Sequence, residues 1–245
     1  MTVGYKYVLL DKKDNIAVIT LNRPERLNST GPEMMSEIKD ACSQVESDDE
    51  VMIVIITGYG DKAFSAGADI KDEKTHDPDT IVESFRNDCF NAIFSLSKPV
   101  IAAVNGYCLG GGLEIALACD IIIASENALF GLPQVSLGLV PGGGGSVLLG
   151  RLVGRARAMD IVLTAEPFNA QDAYRMGLIS RLVKPEELIP TALRMAERIA
   201  SMGPLAIKVA KQQLKAGLEM PLPYALEYDR YRIFFSGRDA NKRAH

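Results

Sequence analysis

The 245-residue chain has two histidines and four cysteines, and each scarcity closes off a kind of chemistry. With His76 in an acidic polar loop and His245 at the last position, neither a Ser-His-Asp triad nor a histidine-rich metal centre is expected, and no metal is expected. Cys42, Cys89, Cys108 and Cys119 lie among apolar neighbours without CxxC spacing, so they read as buried thiols rather than disulfides, ligands or nucleophiles. No window reaches eighteen uninterrupted apolar residues; "IALACDIIIA" is too short and carries Asp120, so no membrane span is expected. The opening "MTVGYKYVLLDKKDN" mixes acids and bases and lacks the apolar stretch of a secretory signal, which makes a cytoplasmic location the expectation. "PGGGGSVLLG" lacks the Lys-Ser/Thr ending of a P-loop and GxGxxG occurs nowhere, so those two phosphate cradles are excluded. A net charge of -4 argues against a dedicated nucleic-acid partner, which would call for clustered Lys and Arg.

What is present is the composition of an ordinary globular protein, 47% hydrophobic and 24% charged. "KYVLL" and "NIAVITL" flank the charged "DKKD" and predict a β-hairpin. Met34, Met35, Ile38, Ala41, Cys42 and Val45 recur at helical spacing, and "VMIVIIT", "PVIAAV" and "CDIIIA" are apolar blocks of strand length. Helices are expected over 80–96 and from Gly111, and the alternation predicts an α/β core. From "VPGGGG" onward the pattern turns helical, with segments near 143–150, 155–163, 169–176, 186–201, 204–218 and 222–236 and little strand signal. The expected division is a core over 1–190 and a helical region over 191–245, whose apolar stripes read as ordinary amphipathic packing or as faces buried against another subunit.

Two glycine-flanked corners follow buried strands: "TGYGDKAFSAGADI" after "VMIVIIT", and "NGYCLGGGLE" after "PVIAAV". Each could aim a backbone N–H into a cleft, and two converging donors make an oxyanion hole; each could equally be a tight turn. Glu114 has two readings as well. An acid in the first turn of a helix caps free N–H groups and is favoured by the macrodipole, whereas an acid facing the same cleft as the helix N-terminus serves as a general base.

"FSAGADI", "VNGYCLGGGLEIALACDIIIASENALFGLP" and "LGLVPGGGGS", in this order and spacing, resemble the crotonase superfamily, the enoyl-CoA hydratase and isomerase group, and the likeness runs from "LNRPERLN" through "GLISRLV" into the helical tail. The resemblance implies a spiral of ββα turns with a C-terminal helical region that builds homotrimers, often paired into hexamers. It implies a coenzyme A thioester as substrate, with no separate cofactor. Carried over by residue, it makes the N–H groups of Ala66 and Gly111 the oxyanion donors and lays Ala66, Gly67, Ala68, Asp69 and Ile70 along the CoA moiety; Arg26 and Lys62 are candidate cationic contacts. Glu114 matches the first of two catalytic glutamates, while the second position, after "FGLP", is Gln134. "NST" after Leu27 also departs from the commoner small-apolar start of the first helix.

A glutamine can orient water but cannot donate a proton as a carboxylic acid does. The leading expectation is a lyase that adds water to, or removes it from, an α,β-unsaturated or dienoyl-CoA, with Glu114 as the water-activating base. The alternatives are double-bond isomerisation, thioester hydrolysis or decarboxylation, for which one carboxylate suffices, and a non-catalytic acyl-CoA-binding or assembly paralogue.

Overall fold

The computed structural model describes residues 4–69 and 88–243, with side chains through Arg232. Ile70, His76, the first part of the helix expected over 80–96, and His245 lie outside the described residues.

The apolar runs form the middle of a six-stranded sheet, ordered β1 (Val8–Lys13), β2 (Ile16–Leu21), β3 (Ile53–Gly58), β5 (Val100–Val104), β7 (Ile121–Ser125) and β10 (Arg181–Val183). Only the β1–β2 hairpin is antiparallel. Its turn is later and shorter than expected: "DKK" belongs to β1, Lys13 pairs with Ile16, and Asp14 takes the left-handed conformation the two-residue loop needs. Alternate side chains separate into two cores. Val54, Ile56, Val100, Ala102, Val104, Ile122 and Ala124 pack on one face, and Ile53, Ile55, Ile101, Ala103 and Ile123 on the other. Burial on both faces is why these strands read as unbroken apolar runs.

The first face is covered by α1 (Pro32–Ser47), α2 (Cys89–Ser95) and α3 (Gly111–Ala118), the second by α7 (Leu188–Ala200). Helix α1 starts with proline at its first position and buries Met34, Ile38, Ala41, Cys42 and Val45. Full burial of a side chain such as Ile38 is worth about 1.5–3 kcal/mol, more than any propensity difference among ordinary residues, so the stripe sets the helix. Helix α2 begins where the Asp88 side chain accepts the Asn91 N–H. The expected boundary at 190 falls inside α7, whose Leu188, Ala192 and Ala196 pack into the sheet.

A second sheet, which the residue pattern does not show although a ββα spiral contains one, is made of short strands: β4 (Ala63–Ser65), β6 (Tyr107–Leu109), β8 (Leu129–Gly131) and β9 (Phe168–Asn169). Long and short strands follow one another in pairs, β3 with β4, β5 with β6 and β7 with β8, so the chain winds between the sheets and turns back through helices. This is the α/β spiral with a helical C-terminal region. After α4 (Gly145–Val153), α5 (Arg155–Thr164) and α6 (Ala170–Arg175), helices α8 (Pro204–Gly217) and α9 (Leu222–Arg243) form a pair latched to the core through Lys211. Its Nζ lies 2.6 Å from Asp120 Oδ2 and donates to the Lys98 carbonyl at 2.7 Å. No helix among the described residues is long and apolar enough to cross a membrane.

Candidate active site

Strands β4, β6 and β8 run in parallel register, with Ser65 opposite Cys108 and Cys108 opposite Phe130. Whatever follows each strand therefore arrives side by side: residues 66–69, residues 110–114 and residues 132–134.

At the first corner the chain is held from one side by residues 27–30. Ala66 N–H donates to the Leu27 carbonyl at 3.0 Å, Thr30 N–H to the Gly67 carbonyl at 2.8 Å, and Asp69 N–H to the Thr30 carbonyl at 3.0 Å. Ala66, expected to present a free amide, has its amide committed to Leu27, and this corrects the expectation. The reason lies at Gly67, whose φ of +89° reverses the sense of the backbone between the two alanines. A Cβ there would stand 2.7 Å from the Leu109 carbonyl oxygen and 3.2 Å from the Gly111 nitrogen, so the position admits only glycine. Beyond the kink, Ala68 is exposed and its N–H, on the edge away from Thr30, has no acceptor among the described residues.

The second corner opens α3. The first amides of a helix have no partner within it, and the Gly111 N–H has none among the described residues. A Cβ built on Gly111 would lie 3.9 Å from the Ala68 nitrogen, so the two unpaired amides are neighbours.

Glu114 is 4% exposed on the first turn of α3. It caps a helix, although not its own: Oε1 accepts Gly143 N–H at 2.7 Å and Gly145 N–H at 2.9 Å, where α4 begins. Burial pushes the Glu114 carboxyl above the usual carboxylate range, and the two amide hydrogen bonds oppose that rise by favouring the charged form. The N-terminal end of α4 adds a favourable field of its own. Gly145 permits the approach, since a Cβ on it would meet Glu114 Cγ and Oε1 at 2.9 Å. With Oε1 occupied, the second carboxylate oxygen, Oε2, faces Gln134, whose Nε2 donates to it at 3.4 Å. Turned the other way, the amide would set two acceptors against each other. Gln134 Oε1 is buried and receives no hydrogen bond among the described residues.

Of the other expected site residues, Asp69 is buried and its Oδ2 lies 3.0 Å from Arg23 Nη2, while Arg26 and Lys62 are exposed. The charged partner of this segment is thus Arg23, which the sequence reading did not single out. It also missed Gly143 and Gly145, although a run of four glycines opening a helix is a source of free amides. Asn28 was missed too. It is 1% exposed and left-handed, as is Leu27 before it, and for a leucine that conformation costs roughly 1–2 kcal/mol. The thiols are held protonated: burial pushes Cys42 up to about 12 and holds Cys89, Cys108 and Cys119 far above the ordinary thiol value.

Residues 11–242 match the family model described as enoyl-CoA hydratase/isomerase. The chain is 43% identical over 227 residues to the short-chain-enoyl-CoA hydratase of Clostridium acetobutylicum, covering 91% of this chain and 86% of that protein. It is 41% identical over 241 residues to the crotonyl-CoA hydratase of Syntrophomonas wolfei, covering 97% and 93%. The crystal structure of enoyl-CoA hydratase from Bacillus anthracis superposes with a TM-score of 0.91 at 32% identity, covering 98% of this chain and 97% of that one.

Proposed function

The chain belongs to the enoyl-CoA hydratase/isomerase family, and from that premise we propose that it is an enoyl-CoA hydratase acting on short α,β-unsaturated CoA thioesters with a single carboxylate. One observation carries the reading: Glu114 is buried with one oxygen fixed by two amides and the other turned toward Gln134. The neighbouring Ala68 and Gly111 N–H groups are the donors for the thioester oxygen. Glu114 Oε2 takes a proton from water as that water's oxygen bonds to Cβ. The π electrons move onto the thioester oxygen, and the two amides stabilise the resulting enolate. Losing one such donor costs about 2.7–4 kcal/mol of transition-state stabilisation in other enzymes. The same carboxyl then returns the proton to Cα, which closes the cycle with one water added and no further cofactor required. Gln134 Oε1 receives the water's other O–H, giving that buried oxygen the donor it lacks among the described residues.

The edge of residues 66–69 is the proposed seat of the CoA moiety, with Ile70, Arg26 and Lys62 as further contacts. Leu214, Leu218, Leu222 and Tyr224 of the tail pair stand in the open, which supports their burial against further copies of the chain; the proposed assembly is a homotrimer or a hexamer of two trimers, and the proposed location the cytoplasm. Light scattering on the purified protein checks the assembly.

The test of function is hydration of crotonyl-CoA followed by product mass. A gain of one water supports the proposal. An unchanged mass with a moved double bond supports the second reading, isomerisation, which the lone carboxylate also favours; free CoA thiol indicates hydrolysis.

A further inference from the structure

The segment that carries Ala68 hangs from a turn between β3 and β4 that two buried asparagines hold: Asn105 Nδ2 donates to the Gly60 carbonyl at 2.6 Å inside the turn, and Asn28 grips its two ends. Asn28 Nδ2 donates to the Tyr59 carbonyl at 3.1 Å and to the Ala63 carbonyl at 2.7 Å, on either side of the turn. Its Oδ1 accepts the Arg23 N–H at 2.9 Å. Both Nδ2 protons are therefore engaged, and one side chain ties the Arg23 backbone to both ends of residues 59–63. Arg23 in turn reaches Asp69 at 3.0 Å, and the backbone on either side of Asn28 supplies the Leu27 carbonyl to Ala66 and Thr30 to Gly67 and Asp69. These contacts engage residues 66, 67 and 69 on the edge facing the 27–30 loop and leave the Ala68 amide on the opposite edge beside Gly111. Asparagine tolerates the left-handed backbone that this placement demands, with φ of 53°.

We infer that Asn28 is a positioning residue for the oxyanion site: it sets where the Ala68 N–H points, and so how strongly the thioester carbonyl is polarised, without touching the substrate. The inference rests on Ala68 being one of the two donors. Oxyanion stabilisation depends on donors placed within about 2.7–3.1 Å of where the charge develops, so a small displacement of the 66–69 segment lowers turnover far more than it weakens ground-state binding.

The test compares Asn28→Ala and Asn28→Gly with the wild type in kcat and KM on crotonyl-CoA, and in the absorption band of a bound arylacryloyl-CoA, whose red shift reports carbonyl polarisation. Both variants are expected to lose 10- to 100-fold in kcat with KM changed less than threefold, and to lose most of the red shift. Glycine accepts the left-handed backbone, so Asn28→Gly carries the test if the alanine variant does not fold. Wild-type kcat with a full red shift in the glycine variant overturns the role of Asn28. The same holds if kcat falls while the full red shift remains. No red shift in the wild-type protein defeats the oxyanion reading itself, a failure separate from that of Asn28.

Discussion

Two helices point their N-termini into the same small region, and they end differently. At the start of α4 the free amides of Gly143 and Gly145 are taken up by Glu114, whereas the first amide of α3, on Gly111, has no acceptor among the described residues. Both starts are glycine-rich and both offer unpaired N–H groups, so neither motif alone tells a structural end from a reactive one. The difference lies in whether an internal acid reaches the amides. At α4 the acid gains an orientation and some compensation for its burial; at α3 the unmet donor is available to a ligand oxygen.

The largest break in this contrast removes the acid's charge. Glu114→Gln is expected to lower kcat about 10³- to 10⁴-fold, at the upper end of what general acid–base catalysis supplies because one group makes both transfers, while the affinity for crotonyl-CoA changes little. Stopped-flow hydration and equilibrium binding check the two halves. Gly111→Pro removes the free amide of α3 at a position where helices accept proline, and a loss of about 10²- to 10³-fold in kcat is expected. Gly145→Ala acts on the other helix start. Its Cβ would meet Glu114 Oε1 at 2.9 Å, and displacing the carboxylate should reduce kcat by about 10- to 100-fold, less than losing the acid outright.

Smaller effects come from pH. Activity needs Glu114 ionised, so kcat/KM should rise through a limb lying above the ordinary carboxylate range. Gln134→Glu places a second acid beside Oε2, where the amide nitrogen now sits at 3.4 Å, and should add a falling limb at higher pH, where the pair loses the one proton it shares. Stability gives the last and smallest test. A carboxyl whose value is raised by folding binds its proton more tightly in the folded state, so its contribution is full below the ordinary glutamate value and declines as pH climbs through the raised one. Glu114→Gln does not titrate, so its melting temperature relative to the wild type should increase with pH across that window and level off above it.

Much of this was legible beforehand, for reasons that can be located. Strands β3, β5 and β7 announce themselves because both of their faces are buried, and α1 because its stripe has helical spacing. The second sheet was invisible in the residue pattern: Ala63–Ser65 and Tyr107–Leu109 are too short to carry a period, and Tyr107 is exposed. At the site, Glu114 and Gly111 could be picked out because an acid following three glycines in an apolar run is unusual. The donors to Glu114 could not, because Gly143 and Gly145 come about thirty residues later and meet it only through the fold. The choice between Ala66 and Ala68 turned on a left-handed kink at Gly67 between them; the glycine hints at such a kink but does not say which alanine is left facing the cleft.

The most direct measurement is a crystal structure of the Glu114→Gln protein with crotonyl-CoA bound. The account predicts the thioester oxygen about 2.7–3.1 Å from the nitrogens of both Ala68 and Gly111, with the residue 114 side chain beside Cα and Cβ. A thioester oxygen bound away from either amide, or a residue 114 side chain with no approach to those carbons, would contradict it.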